Sequence, residues 1–297
     1  MKLSTATQST QLIARGDSDR RLRFWRSLRR TRLAIPGGLL VLGFIMLAIL
    51  APWIAPFDPL ASDLSKVLLE PDSVHWFGTD ELGRDVLSRV LFGARISLLE
   101  GFVPVAIALA VGVPVGILSG YSGGWKDMLL MRAMDVLMAF PGVLLAIVVV
   151  SILGPGIENA MLAVAAYMVP IFARLARGLA ISAAKEPYIE ACHAAGMRTT
   201  RIIAVHLLPN IAPTLMVIAA LRVAIAILTA SSLGFLGLGA QAPSPEWGAM
   251  LAQGRNAMLI APHVVVFPGA AIILLVLGLN LFQDGLRIAL DPRMSNR

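Results

Sequence analysis

Residues 190–210 read EACHAAGMRTTRIIAVHLLPN, a polar and helix-breaking segment that lies between two long apolar runs. Each flanking run reaches or nearly reaches the roughly 20 residues that a membrane helix needs. This is the only sizeable segment between membrane spans that has cytoplasmic character. We therefore expect something outside the membrane to contact the chain here.

The composition of the rest of the chain favours a membrane protein. Of the 297 residues, 57% are hydrophobic and 14% are charged, whereas about 25% would be charged in a soluble domain. The apolar runs are continuous rather than alternating, which is typical of helices and argues against a membrane barrel. We predict an all-α, polytopic membrane protein with one membrane domain.

Six membrane spans are predicted from the apolar runs. They cover residues 33–57, 96–119, 130–153, 157–174, 211–238 and 261–283. The first run is too long for the h-region of a signal peptide, about 7–15 residues, and is predicted to be a retained span. Residues 96–290 are expected to hold the five remaining helices and the 184–210 segment.

The placement of Lys and Arg predicts the orientation of these spans. The tail 1–32 carries nine basic residues and is predicted to be cytoplasmic, and the tail 291–297 is predicted to lie on the same side. Residues 58–95 hold seven acidic and four basic residues and are predicted to be extracytoplasmic. Because the net charge of +7 is concentrated in the first tail, it does not indicate nucleic-acid binding.

A short amphipathic helix is predicted within the extracytoplasmic segment. Thr79 is a suitable N-cap residue, and acidic residues follow it. Asp85 and Arg89 are spaced for an ion pair on one helix face. This helix is either an interfacial anchor or a docking or gating element at the outer mouth.

The 184–210 segment itself is predicted to form two short helices joined by a turn. Pro187 suits the first turn of a helix, where Glu190 is stabilised by the helix dipole. Gly196 supplies a left-handed turn, and Pro209 is expected to limit the second helix. From these residues alone, an ordinary interhelical loop remains the alternative.

Charged and small residues inside the spans give further local predictions. Arg222 is expected to face a polar cavity or a partner helix, because a charge within the membrane is costly. Arg132 and Asp135 are spaced for a structural pair on one helix, and Glu100 is expected to reach the outer interface. A row of small residues predicts close helix packing within the subunit, with contact to a partner subunit as the alternative: Gly112, Gly116 and Gly120.

Strings that resemble enzymatic motifs occur in the wrong context for catalysis. The string GYSGG at 120–124 joins two apolar runs and lacks the strand-to-helix turn of a nucleophile elbow. GLGAQA at 237–242 ends an apolar run rather than following a strand, which argues against dinucleotide binding. No phosphate-binding loop of the form GxxxxGK[ST] occurs, and the single cysteine, Cys192, excludes a thiolate zinc site.

The 190–210 string resembles the EAA loop of permease subunits of ABC importers. Cys192 stands where the family pattern has alanine, and HLLPN at 206–210 is similar to the version found in peptide-type members. FGTDELGRDVLSR at 77–89, SSLGFLGLG at 231–239, PEWG at 245–248 and LDPR at 290–293 resemble other blocks of the dipeptide/oligopeptide branch. The resemblance covers nearly all of the chain after residue 33 and is nearest to the "C" subunit of a permease heterodimer.

The resemblance implies a type I ABC importer permease fold with six transmembrane helices in the inner membrane. It implies a second homologous permease subunit, two cytoplasmic ATPase subunits or domains, and an extracytoplasmic binding protein as partners. No cofactor is expected on this chain, since ATP and Mg would lie on the ATPases. The residues expected to couple the chain to the ATPases are Glu190, Ala191, Gly196, Leu208 and Pro209.

The translocation path and the substrate are the remaining expectations. Residues expected near the path are Arg222, Thr229, Ser231 and Ser232. Di- or oligopeptides are the expected substrates, with nickel chelates or another small solute as the alternative. An ion-driven secondary transporter is a further alternative, although the repeated halves and midplane carboxylates typical of that class are missing.

Overall fold

The computed structural model describes residues 34–290, with side chains as far as residue 287; the predicted tails 1–32 and 291–297 lie outside this part. About three quarters of the described part is helical, and its only strand-like feature is one antiparallel bridge between Thr79 and Asp85. The described helices are α1 (Ala34–Ile54), α2 (Val86–Ser122), α3 (Gly124–Met138), α4 (Gly142–Leu153), α5 (Ile157–Ala184), α6 (Pro187–Ala194), α7 (Thr199–Phe235), α8 (Trp247–Gly254) and α9 (His263–Leu290).

Five of these helices are long and apolar enough to cross a membrane: α1, α2, α5, α7 and α9. Helices α3 and α4 together would supply a sixth span. Many large apolar side chains on the helix surfaces are exposed, including Leu39 and Leu42 on α1 and Ile273 on α9. In a membrane protein such side chains face lipid or another subunit, so the predicted all-α, multi-pass fold is confirmed for the described residues.

The predicted third span, 130–153, is not one continuous helix. It breaks at residues 139–141, and α3 and α4 meet at an angle of 89°. Pro141 lacks a backbone N–H and disfavours helical geometry at Phe140, which explains a break at this position. The run is apolar on both sides of the proline, so its hydropathy alone did not reveal the bend.

The predicted amphipathic helix and the second span form a single helix, α2, which begins at Val86 rather than near Thr79. Asp85 is the N-cap, and its carboxylate accepts a hydrogen bond of 2.8 Å from the backbone N–H of Ser88. Thr79 instead accepts from the backbone N–H of Leu69 at 2.8 Å. The prediction of Thr79 as N-cap was wrong because that hydroxyl is used to close the preceding loop.

Pro209 does not end a helix, contrary to the prediction. Residues 202–207 adopt a wider π-helical turn, in which the N–H of Leu208 bonds to the carbonyl of Ile203. In a regular α-helix the ring of Pro209 would clash with the carbonyl four residues earlier. The wider turn changes the backbone hydrogen bonds just before the proline and so avoids this clash. Helix α7 therefore continues through Pro209, and the fifth span begins well before the predicted residue 211.

The glycine row of α2 packs against α5 of the same chain. A Cβ at Gly112 would meet the carbonyl of Val169, and one at Gly120 would meet the carbonyl of Arg177. Gly116 faces Ala176 in the same way. The prediction of close packing within the subunit is confirmed, and this contact aligns two of the longest helices.

One end of the bundle, named here the 55–85 end, gathers the loops that precede α2 and follow α7. Arg84 donates to Gln253 Oε1 at 3.0 Å, and His263 Nε2 lies 3.1 Å from the carbonyl of Thr79. The rings of Phe77 and Phe267 stack with their centroids 3.8 Å apart. Helix α2 runs from this end to the end that carries the 184–210 segment.

Candidate functional site

The 184–210 segment forms a short helix, a tight turn and the beginning of α7. Pro187 occupies the first turn of α6, as predicted, where its missing N–H costs nothing. Ile189 is buried on the inner face, while Glu190 and Ala191 are exposed on α6. Ile202 and Leu207 are fully buried on the α7 side. The segment thus has an apolar face against the bundle and a polar face away from it.

Gly196 makes the turn that follows α6. Its φ is +73°, in the left-handed region that glycine tolerates best. Its N–H bonds to the carbonyl of His193 at 2.9 Å, and the N–H of Met197 bonds to that of Cys192 at 3.1 Å. These two bonds are the Schellman pattern that terminates a helix, so the predicted role of Gly196 in the turn is confirmed.

Polar contacts attach this segment to the spans. The hydroxyl of Tyr121 lies 2.7 Å from His193 Nε2, joining the end of α2 to α6. The side-chain amide of Asn210 donates to the hydroxyl of Tyr188 at 2.9 Å, joining α7 to α6. The sequence offered no signal for either contact, because the partners are far apart along the chain.

All five residues that were predicted to couple the chain to ATPases are exposed. Glu190 and Ala191 lie on α6, and Gly196 is in the turn. Leu208 and Pro209 follow the π-helical turn, next to the Asn210–Tyr188 contact that joins the two helices. Their exposure makes them available to a partner.

Two ion pairs lie close to this end of the bundle, and both connect α3 to α5. Arg177 binds Asp127 with two hydrogen bonds of 2.6 and 2.7 Å, and Ser119 donates to the same carboxylate. Asp135 pairs with Arg174 at 2.5 Å. The predicted partner of Asp135 was Arg132 on the same helix, and that prediction was wrong because α5 lies closer to the carboxylate.

The residues predicted near a translocation path do not share one environment. Thr229 is buried, donates to the carbonyl of Ile225 at 2.8 Å and lies 3.3 Å from the hydroxyl of Tyr167. Ser231 is also buried, whereas Ser232 is exposed. Arg222 is half-buried. Only Arg222 and Ser232 are therefore accessible on the isolated chain.

The 55–85 end contains buried charges that were not recognised from the sequence. Arg89 is 1% exposed and donates to the carbonyls of Pro59, Pro243 and Ser244. Its Nε lies 3.4 Å from Asp80, which replaces the predicted pairing with Asp85. These bonds hold the loop before α2 against the loop before α8.

Glu246 is the N-cap of α8 and is fully buried. Its carboxylate accepts hydrogen bonds from the backbone N–H groups of Gly248 at 2.6 Å and Ala249 at 2.7 Å. Burial raises the pKa of Glu246 to about 7, against the opposing effect of these two bonds. Glu100 is likewise buried, so the prediction that it reaches the outer interface was wrong.

A metal-binding arrangement of side chains is not found among the described residues. Between residues 34 and 287, no group of three or more His, Cys, Asp or Glu side chains is arranged to hold a metal ion. The helical bundle with several candidate spans and one exposed polar segment is the architecture of a multi-pass membrane protein.

Comparison with known proteins identifies the family. Residues 112–296 match the family described as "Binding-protein-dependent transport system inner membrane component", and residues 21–71 match the "N-terminal TM domain of oligopeptide transport permease C". The dipeptide transport system permease protein DppC of Alkalihalophilus pseudofirmus is 47% identical, covering 92% of this chain and 90% of that protein. The glutathione transport system permease protein GsiD of Escherichia coli is 49% identical, covering 91% and 90%.

Solved structures support the same fold. A chain of the MetNI methionine ABC transporter, in an inward-facing conformation, superposes with a TM-score of 0.53 and 22% identity. The match covers 71% of this chain and 97% of that chain. At this identity the likeness concerns the fold alone.

The chain therefore belongs to the binding-protein-dependent inner membrane component family, as an ABC-importer permease of the dipeptide/oligopeptide type. It is a multi-pass protein of the inner membrane, and members of this family are membrane components without catalytic activity of their own. This membership removes the alternative of an ion-driven secondary transporter.

Proposed function

We propose that this chain forms, together with a second homologous permease subunit, the path by which di- or oligopeptides are imported. An extracytoplasmic binding protein delivers the substrate, and two cytoplasmic ATPase subunits supply the energy. The relatives at 47% and 49% identity are named for dipeptides and for glutathione, which is itself a tripeptide. Peptide backbones are the chemistry that these two substrates share.

The 184–210 segment is proposed as the contact with an ATPase, and its exposed, anchored shape is the observation that carries this proposal. Helix α6 is terminated by Pro187 at one end and by the Gly196 turn at the other. Ile189 anchors its inner face, so a displacement of the exposed face is passed to the bundle rather than lost in a flexible loop. Glu190 is proposed to make the polar contact, with Ala191 leaving room for the partner's surface.

The second half of the same surface is proposed to be formed by Leu208 and Pro209. Both are exposed at the beginning of the regular part of α7. Because α7 continues from here to Phe235, movement at these residues is carried along the length of a span. This continuity links the proposed ATPase contact to the proposed translocation path.

Arg222 and Ser232 are proposed to line the path, since both are accessible on the isolated chain. Thr229 and Ser231 are buried within this subunit, so their place on the path stays a prediction that requires α7 to rotate or separate from its neighbours. Neither ATP nor Mg is assigned to this chain, because the sequence lacks a phosphate-binding loop of the form GxxxxGK[ST]. Both are proposed to bind the ATPase partners.

Reconstitution of the complete transporter tests the proposal. The full-length chain, purified with its partner permease, ATPases and binding protein, is placed in liposomes and supplied with radiolabelled dipeptide, oligopeptide, glutathione or a nickel chelate. We expect uptake of a peptide that requires ATP and the binding protein and that persists when the proton gradient is collapsed. Uptake of the nickel chelate alone would instead support the second candidate substrate class.

Variants of α6 test the proposed ATPase contact separately. We expect Glu190→Gln to lower uptake and the ATPase activity that substrate stimulates. Glu186→Gln is the matched control, since Glu186 is an exposed carboxylate in the same segment whose side chain does not cap α6. Equal effects of the two variants would mean that the net charge of the segment matters and that Glu190 has no specific contact.

A further inference from the structure

A cavity of about 790 Å³ lies at the 55–85 end, between the end of α1, the first turns of α2 and the loop before α8. Its apolar lining comes from all three elements: Pro52, Ala55, Phe92, Ile96 and Pro245. Two charged residues, Asp58 and Arg95, also line it. A mostly apolar cavity of this size with a few polar groups is typical of a site for a small amphiphilic molecule.

This cavity lies at the level where two spans meet the surface of the bilayer. The sequence predicts the first span at 33–57 and the second at 96–119, so Asp58 directly follows one span and Arg95 directly precedes the other. Trp53, in the last turn of α1, is 75% exposed, and tryptophan is enriched at the membrane–water interface. The two charged residues are therefore at the depth of lipid headgroups rather than of acyl chains.

The charges of Asp58 and Arg95 are available to a ligand. Both residues are exposed, and neither forms a salt bridge within the described residues. One oxygen of Asp58 accepts a hydrogen bond of 2.8 Å from the backbone N–H of Leu60. Since the two opposite charges line one cavity without pairing with each other, a ligand that carries both a negative and a positive group complements both.

An exposed apolar face of α2 continues from the cavity into the second span. Arg95, Leu99 and Phe102 are spaced at i, i+4 and i+7, which places them on one face of the helix. Leu99 lines the cavity, and both Leu99 and Phe102 are exposed. The surface thus has a charged end at the bilayer surface and an apolar path towards the bilayer interior, which matches the two ends of a phospholipid.

Hydrogen bonds hold the wall of the cavity in place. The backbone N–H of Phe57 donates to Ser88 Oγ at 3.1 Å, and Arg89 donates to the carbonyl of Pro59 at 3.1 Å. These two bonds flank Asp58 and fix its loop against α2. Because the wall is already ordered, binding a ligand there costs less conformational entropy.

We propose that this cavity binds phosphatidylethanolamine, a phospholipid whose headgroup carries a phosphate and a primary ammonium group. Arg95 binds the phosphate, since a guanidinium group matches two phosphate oxygens. Asp58 accepts hydrogen bonds from the ammonium group, and an acyl chain lies along Leu99 and Phe102. A choline headgroup could not donate to Asp58, and a glycerol headgroup would leave that carboxylate without a cation. This inference does not depend on the substrate or on the ATPase partners.

Native mass spectrometry of the full-length chain in detergent tests the headgroup. The probes are phosphatidylethanolamine, phosphatidylcholine and phosphatidylglycerol with identical acyl chains. We expect phosphatidylethanolamine to bind tightest, Arg95→Gln to weaken its binding by about three- to tenfold, and Arg95→Lys to retain most of it. Asp58→Asn should lower the affinity for phosphatidylethanolamine to that for phosphatidylcholine. Equal affinities of the wild type for the three lipids would overturn the proposal.

Two matched variants control for a general effect of charge. Arg255→Gln and Glu70→Gln remove exposed charges in the described loops, and neither residue lines the cavity. We expect both variants to bind phosphatidylethanolamine as the wild type does. If Arg255→Gln weakens binding as much as Arg95→Gln, the lipid is held by net charge and the cavity is not its site.

Photocrosslinking separates a lipid from the other possible occupants. Phosphatidylethanolamine with a photoreactive acyl chain is added to the isolated chain and to the assembled transporter, and the modified residues are mapped. We expect cross-links within residues 52–60 and 92–102 in both samples. Their loss on assembly would show that a partner subunit covers the cavity, and their loss with excess dipeptide, which is also zwitterionic, would assign it to a soluble ligand. Either result contradicts the proposal.

Discussion

The hydroxyl group of Tyr121 lies 2.7 Å from Nε2 of His193. Tyr121 is at the C-terminal end of α2, and His193 is in the last turn of α6. The contact therefore joins the exposed helix of the 184–210 segment to the span that reaches the 55–85 end. It attaches α6 to the bundle in addition to the buried side chain of Ile189 and the hydrogen bond between Tyr188 and Asn210.

Removing this hydroxyl should weaken the link between α6 and α2. We expect Tyr121→Phe to weaken the attachment of α6 to α2 by about 0.5–1.5 kcal/mol, the usual net contribution of one hydrogen bond. The amount of substrate transported per ATP hydrolysed should fall as a result. A double-mutant cycle with His193→Ala in reconstituted transporters measures the coupling. If the two single effects simply add, the contact does not contribute to transport.

The left-handed backbone of Gly196 gives a sharper prediction. A Cβ at this position would meet no atom within 4 Å, so any penalty comes from the φ of +73°. We expect Gly196→Ala to cost about 1–2 kcal/mol and Gly196→Val to cost more. The valine variant should hydrolyse ATP with little uptake, or should fail to assemble.

Gly178→Ala is the matched control for Gly196→Ala. Gly178 also has open space around its Cα, but it lies within α5 and does not have a positive φ. Alanine at a helix interior should be neutral or stabilising by up to about 1 kcal/mol. Similar losses of thermal stability in both variants would show that the turn conformation is not the cause.

The packing of α2 on α5 predicts the effect of enlarging the glycine row. A Cβ at Gly116 would overlap the carbonyl of Ala173 and lie 2.8 Å from the Cβ of Ala176. We expect Gly116→Leu to destabilise the fold by about 1–3 kcal/mol or more, because the helices must separate. The yield of folded protein and the unfolding midpoint measure this.

Gly43→Leu provides the comparison for the same substitution. Gly43 lies on α1 and is exposed, and a Cβ added there would have no atom within 4 Å. We expect nearly normal yield and midpoint for this variant. A strong loss at Gly43 together with a weak loss at Gly116 would place the important helix contact on α1 instead.

The buried guanidinium of Arg89 holds the loops of the 55–85 end together. Lysine keeps the charge but cannot reproduce a planar group that reaches the carbonyls of Pro59, Pro243 and Ser244. We expect Arg89→Lys to destabilise this end by about 2–5 kcal/mol. Arg95→Lys, at an exposed position on the same helix, should have little effect; limited proteolysis of residues 55–85 distinguishes the two.

Local sequence patterns predicted the features that depend on neighbouring residues. The apolar runs predicted the multi-pass helical fold, and Pro187 and Gly196 predicted the beginning and end of α6. The glycine spacing on α2 predicted a close helix contact. Each of these depends on backbone geometry or hydropathy within a few residues, which the sequence records directly.

Contacts between distant residues were decided by the tertiary structure. Asp135 pairs with Arg174 rather than with Arg132, because the approach of α5 places a better partner beside it. Glu100 lies buried, although the sequence suggested an interfacial position. The apolar segments and the turn at Gly196 could be predicted without the fold, because hydropathy and backbone preference are local properties. Which charged side chains are buried became known from the folded chain, because burial depends on how helices far apart in the sequence pack.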